Sequence, residues 1–190
     1  RSVFEAEGQY NTEFKFAAWE DINAAVNYAK RSLKTFFQPF ARNWHYHRQT
    51  LDGYIQRQIK EGKSRLILCK YHPEAAADMI DPQIMREYTE DGFKKAVRIA
   101  RETHNLTGDD TKQVRYQRWA LALRLASVKG ILEGIMEKGG IWQALPHVHS
   151  AELVRHVCGA AGALEKGDLA MAQLEIEWAM AIHKDNHALL

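Results

Sequence analysis

Proline is scarce in this sequence. Four in 190 residues leave long stretches free to run as helix, since little removes a backbone donor or blocks a preceding turn. Cysteine is scarcer still. Cys69 and Cys158 could stay as free thiols or form one bridge, too few for a disulfide framework or a cysteine-based zinc site. No apolar run approaches the roughly 20 residues that a membrane span needs, so no spanning helix is expected. A glycine-rich phosphate loop, a nucleophile elbow and an HExxH helix are all missing. No paired carboxylates stand at helical spacing on an apolar face. Helix-turn-helix, zinc-finger and RNA-binding signatures are missing too, which argues against sequence readout by those modules. Histidine pairs do occur, as His45/His47 and His147/His149. Positions i and i+2 of a helix do not share a face, and zinc wants three or four ligands. No metal, cofactor or catalytic role is expected.

What is present is helix-forming material. Ala, Leu, Gln, Glu and Arg are abundant, and the 46% apolar content is ordinary for a folded chain. An all-α fold is expected, packed as one domain. Residues 1–72 would supply an extended N-terminal arm and cationic helices, and residues 73–190 a helical bundle.

Charge is segregated beneath a net +2. Residues 30–70 carry +8 and residues 94–129 carry +6, while the three remaining parts are acidic. The first block sets ten cations against only Asp52 and Glu61, interleaved with Phe36, Phe37, Phe40, Trp44, Tyr46 and Tyr54. Cations among aromatics and amides suit a polyanion. Duplex nucleic acid offers a charge every ~1.7 Å of axis, which cations on successive helical turns can track. Arginine matches phosphate bidentately, and Gln adds neutral donors. The candidate contacts are Lys30, Arg31, Lys34, Arg42, His45, Arg48, Gln49, Gln56, Arg57, Lys60, Lys63 and Arg65, with Arg98, Arg101, Arg115 and Arg118 from the second block. Lys112, Arg115 and Arg118 fall in the first turns of a predicted helix, where the dipole disfavours cations; an anionic partner would account for them. A membrane surface also suits a cationic helix face, but the glutamines and the weak Leu/Phe face favour nucleic acid.

Periodicity predicts the elements. Ile22, Val26, Ala29, Leu33 and Phe36 mark a helix over 12–37, ended by Pro39. Phe40, Trp44, His47, Leu51, either Tyr54 or Ile55, and Ile59 mark a second over 40–61, stopped by Gly62. Residues 64–72 read as a short helix or buried connector. Pro73 and Pro82 each open a helix, over 73–80 and over 82–105 with a bend near Gly92. A turn at 105–109 leads into a long helix ending at Gly139–Gly140, with Val114, Leu121, Leu125, Val128, Leu132 and Ile135 inward. After a linker over 141–150, Ser150 caps a helix to about 164, and a last helix runs over 168–186. These two form a hairpin resembling one tetratricopeptide-like unit, which suits a subunit contact.

A polar N-terminal arm, a cationic helix pair and an acidic helical bundle together resemble, in layout, the major coat proteins of filamentous archaeal viruses. The resemblance implies that the N-terminal helices wrap DNA held in A-form while the bundle meets neighbouring subunits on the outside. It implies a structural DNA-binding capsid protein of the virion (or else a cytoplasmic protein), binding DNA rather than RNA and associating with itself or a paralogous subunit in a helical filament. Two other readings stand beside it. The run Arg42-Asn43-Trp44-His45-Tyr46-His47 resembles the short motif of HEPN-domain ribonucleases, which implies metal-independent RNA cleavage by Arg42 and His47. The C-terminal hairpin would also serve a protein–protein adaptor.

Overall fold

The computed structural model of the chain describes residues 10–16, 18–34, 36, 38–43, 50–104 and 111–186. The fold is all-α, and no strand occurs among the described residues. The elements are α1 (Glu20–Lys30), α2 (Leu51–Tyr71), α3 (Pro73–Met79), α4 (Pro82–Glu87), α5 (Glu90–His104), α6 (Thr111–Lys138), a 3₁₀ segment (Gly140–His147), α7 (Ala151–Glu165) and α8 (Leu169–Asn186).

α2 and α6 form the centre. A Cβ on Gly62 would collide with the carbonyl oxygen of Ser127, and one on Gly130 with that of Ile59. The two backbones therefore touch, and only glycine leaves room for the crossing. Ile59 lies against Gly130 and Leu66 against Gly134, so the helices run parallel. α5 lies antiparallel to both: its end reaches the start of α2 through Arg101–Asp52, and its start reaches the far half of α6 through Glu90–Lys129. One apolar cluster, with Leu51, Ile55, Phe93, Val97, Ala100, Ala122 and Ala126, fills the space among these three. A second, with Leu66, Cys69, Ile80, Ile131, Trp142, Leu145 and Val154, joins the other halves of α2 and α6 to α3, α4, the 3₁₀ segment and α7. Cys69 and Cys158 are both free and buried in that second cluster.

The helix expected over 12–37 is shorter at both ends. Trp19 is left-handed (φ 72) at its N-cap, which bars continuation backward. At the other end Ser32 is left-handed (φ 59), Leu33 N–H donates to the Tyr28 carbonyl and Ser32 N–H to that of Ala29. This is a Schellman stop without its usual glycine, seven residues before Pro39. The helix expected over 40–61 starts at Leu51, where the Thr50 hydroxyl accepts from Gly53 N–H at 3.1 Å. It passes through Gly62, absorbs the stretch over 64–72 and ends at Tyr71. Residues 38–43 are turn and irregular chain. Phe36 and Phe40, expected inward, are 81% and 86% exposed. The helix expected over 82–105 is broken rather than bent: α4 stops at Glu87, and α5 restarts where the Thr89 hydroxyl accepts from Gly92 N–H. On α6, Val114 and Leu121 are exposed, and the small Ala122 and Ala126 line the core instead. The expected turn at 105–109 lies outside the described residues. Pro73, Pro82, Ser150 and Gly167 (φ 74) mark element boundaries as expected.

Candidate nucleic-acid interface

The parallel pairing of α2 with α6, and the antiparallel return of α5, bring three chain ends together. The start of α2, the end of α5 and the start of α6 share one end of the bundle. Arg101 holds Asp52 through Nε and Nη2, at 3.0 and 2.6 Å. Arg118 Nη1 donates to the Thr103 hydroxyl at 2.9 Å. Arg98 stands 3.9 Å from Glu102 on an open face. Asp52, Ile55, Gln56, Phe93, Lys94, Val97 and Arg101 line a cleft of about 300 Å³. Lys112 is exposed and Arg115 half-buried on the first turns of α6. Two helix N-termini, those of α2 and α6, lie at this end, where the helix dipoles add partial positive charge.

Arg42 is exposed in a turn, with Nε donating to the Pro39 carbonyl at 3.2 Å. His45, Arg48 and Gln49 lie outside the described residues, as does His47, so the Arg42/His47 pair has no described geometry. Arg31 and Lys34 are exposed just beyond α1. On α2 itself, Arg57 holds Glu61 at 2.8 Å and Lys60 stands 5.3 Å over the Phe16 ring, both on the outer face.

The other predicted cations have different work. Lys63 bridges Glu137 at 2.7 Å and Glu133 at 3.1 Å, joining α2 to α6. Those hydrogen bonds, Glu137 foremost, raise its pKa despite partial burial. Arg65 donates from Nη1 to the Met79 carbonyl at 3.0 Å and lies 5.0 Å over the Trp19 ring. Burial lowers its pKa. Lys70, in the same block, is only 10% exposed and bridges Glu13 and Glu165 at 2.9 and 3.0 Å. Burial would depress its pKa, but those two carboxylates outweigh it and the pKa is raised. Lys30 is bound to Glu74 at 2.8 Å and meets Nδ1 of His72 at 3.1 Å.

Lys30 and His72 belong to a polar latch. His72 is buried, and its Nε2 meets Asn23 Oδ1 at 3.1 Å. The neutral ring with its proton on Nε2 satisfies both contacts: it donates to Asn23 and accepts from the Lys30 ammonium. Burial, then the Lys30 charge, lowers the His72 pKa. The basic block thus divides. Arg31, Lys34, Arg42, Arg57 and Lys60 are exposed, and Lys30, Lys63, Arg65 and Lys70 tie elements together. Sequence spacing could not reveal that division, because the acids that engage Lys63 lie about 70 positions away.

Among the described residues no group of His, Cys, Asp and Glu is placed to hold a metal ion, and no helix is long and apolar enough to cross a membrane. No family model matches the chain, and no curated protein or solved structure matches it.

Proposed function

We propose that this chain binds the backbone of a nucleic acid without reading its sequence and, with further copies of itself or a paralogous subunit, coats and packages it. It is then a nucleocapsid-type structural protein of a virion, with duplex DNA as the favoured polymer and no reaction catalysed. One observation carries this reading. The acidic residues 71–93 separate the two basic blocks in sequence, yet the first stretch meets the second at one end of the bundle, where Asp52 is held by Arg101 beside the Arg118–Thr103 contact.

The energetics favour a polyanion there. Arg101 and Asp52 form an exposed pair, with side chains 59% and 62% accessible. Such pairs contribute about 0.2–1 kcal/mol, so a phosphate can take the guanidinium at small cost. Release of condensed counterions from the polymer then drives binding. The pairs of Lys63 and Lys70 do not exchange in this way. Each of these two lysines is at most 27% exposed and is shared between two carboxylates from elsewhere in the chain. The proposed contact set is therefore Gln56, Arg57, Arg98, Arg101, Arg115 and Arg118, with the exposed Arg42 and Lys34 as further candidates.

Fluorescence anisotropy with a short random-sequence duplex tests this. At about 0.9 per phosphate contacted, five or six contacts give a slope of roughly −5 in log affinity against log salt. A flat response contradicts the proposal, as does preference for one sequence over all others.

A further inference from the structure

α8 is apolar on both sides of its core stripe. Ala172, Ile176, Ala179 and Ile182 face the bundle, buried or partly buried. On one flank Met171, Leu174 and Trp178 are exposed. The other flank, with the exposed Met180, closes a groove of about 180 Å³ whose walls include Ile141, Ala144, Val148, Leu153 and Val157. The polar back of the helix, where Gln173 donates to Glu177, separates the two. A helix packed on the outside of a bundle ordinarily keeps one apolar stripe, so both flanks call for a partner.

We propose that Trp178 of one copy of the chain seats in the apolar groove of the next. Two features identify a second copy as the occupant. The first is fit: a dry cavity of about 150 Å³ holds a benzene-sized ring, so this groove takes an aromatic side chain, and the same helix presents one. Trp178 is 55% exposed yet held in place. Its ring stacks on His156 at 6.1 Å between centroids and 10° between planes, and His156 Nδ1 is fixed by Glu175 at 2.7 Å. A preorganised aromatic loses little freedom on docking. The second is area: three half-exposed large apolar side chains offer roughly 300 Å², and both flanks together reach the size of patch that monomers keep for function. This is below the ~800 Å² a side of a stable isolated dimer. It suits a weak contact repeated along an array, where alignment supplies the effective concentration.

Knob and groove lie on opposite flanks, so the contact is head-to-tail. Each copy keeps a free knob at one end and a free groove at the other, and association does not close on itself at two. The contact extends the proposed function, resting on its premise that copies assemble, but it lies away from the cationic end.

Sedimentation of the full chain without nucleic acid tests the contact. The wild-type mass should climb with concentration past a dimer. Trp178→Ala removes the knob, and Ala144→Trp fills the groove from an exposed position. Each should weaken association by tenfold or more, on the order of a missing hot spot, with helical content by circular dichroism unchanged. A one-to-one mixture restores one working contact per pair and should stop at a heterodimer. A wild-type chain that stays monomeric to roughly 1 mM, or that stops at a dimer, overturns the proposal. So does wild-type association in either variant. If Trp178→Ala fails to fold, Ala144→Trp alone decides. Affinity for a short duplex is read separately, so loss of one property does not mimic loss of the other.

Discussion

The two halves of α2 carry cations at similar density and use them oppositely. Over residues 51–61, Arg57 and Lys60 look outward and the one acid near the start, Asp52, holds Arg101 on an open face. Over residues 62–71, Lys63, Arg65 and Lys70 are engaged by α6, by the residue before Ile80, by the segment before α1 and by the end of α7. The divide falls at Gly62, where α2 touches α6. Beyond that crossing the helix is surrounded, and a cation there must find a counterion or another acceptor within the fold. Before the crossing it borders solvent and keeps its charge for a partner. Charge density alone therefore does not define a binding surface; the local degree of enclosure decides which cations are available.

The crossing itself offers the largest perturbation. Gly130→Ala places a methyl group in the Ile59 carbonyl, backbone against backbone, with no flexible side chain to yield. We expect a loss of about 3 kcal/mol or more, seen in chemical denaturation. Gly134→Ala, which meets only the tip of Leu66, should cost less. Equal, small losses at both sites would break the claim that the backbones touch.

Lys70→Met comes next. It leaves Glu13 and Glu165 without their shared cation, though both retain solvent access, with side chains 43% and 27% exposed. A loss of about 2 kcal/mol is expected after discounting the buried-pair figure for that exposure. Arg101→Ala, at the other end, should shift stability by about 0.5 kcal/mol or less. Similar losses for the two would erase the contrast between the ends.

These sites also show what is legible in the chain. Proline at a first turn, a serine cap and a glycine past a helix end act within a few residues. The starts of α3, α4 and α7 and the break at Gly167 are accordingly readable. Gly62 misleads because its local preference is to end a helix, whereas its role is set by the α6 backbone at Ser127, far along the chain. Ser32 ends α1 without the glycine that would have announced it. The charge blocks are plain in the sequence, and so is their fitness for a polyanion. Which cations are already taken is not, since Lys70 finds Glu13 and Glu165 from opposite directions along the chain.

Acid should undo the enclosed half first. His72 is neutral in the fold with its pKa below the ordinary 6.5. The unfolded chain therefore binds a proton that the folded chain refuses, and stability falls as pH drops below about 6.5 toward the folded value. Glu13, Glu74 and Glu165 are held below the ordinary 4.5, so a further loss begins beneath that pH. His72→Gln should remove the upper part of the decline while leaving the lower part. Thermal unfolding across pH 7.5 to about 3 checks this, and an unchanged upper decline in the variant would assign it elsewhere.

The smallest change in stability should accompany the largest change in binding. The slope of duplex affinity against salt, measured for the wild type, for the Arg101→Ala/Arg115→Ala/Arg118→Ala variant and for Lys63→Gln, tests the division most directly. A slope shallower by roughly 2–3 is expected in the triple variant, at about 0.9 for each phosphate no longer neutralised, and a wild-type slope in Lys63→Gln. An unchanged slope in the triple variant, or an equal flattening on replacing Lys63, contradicts the division.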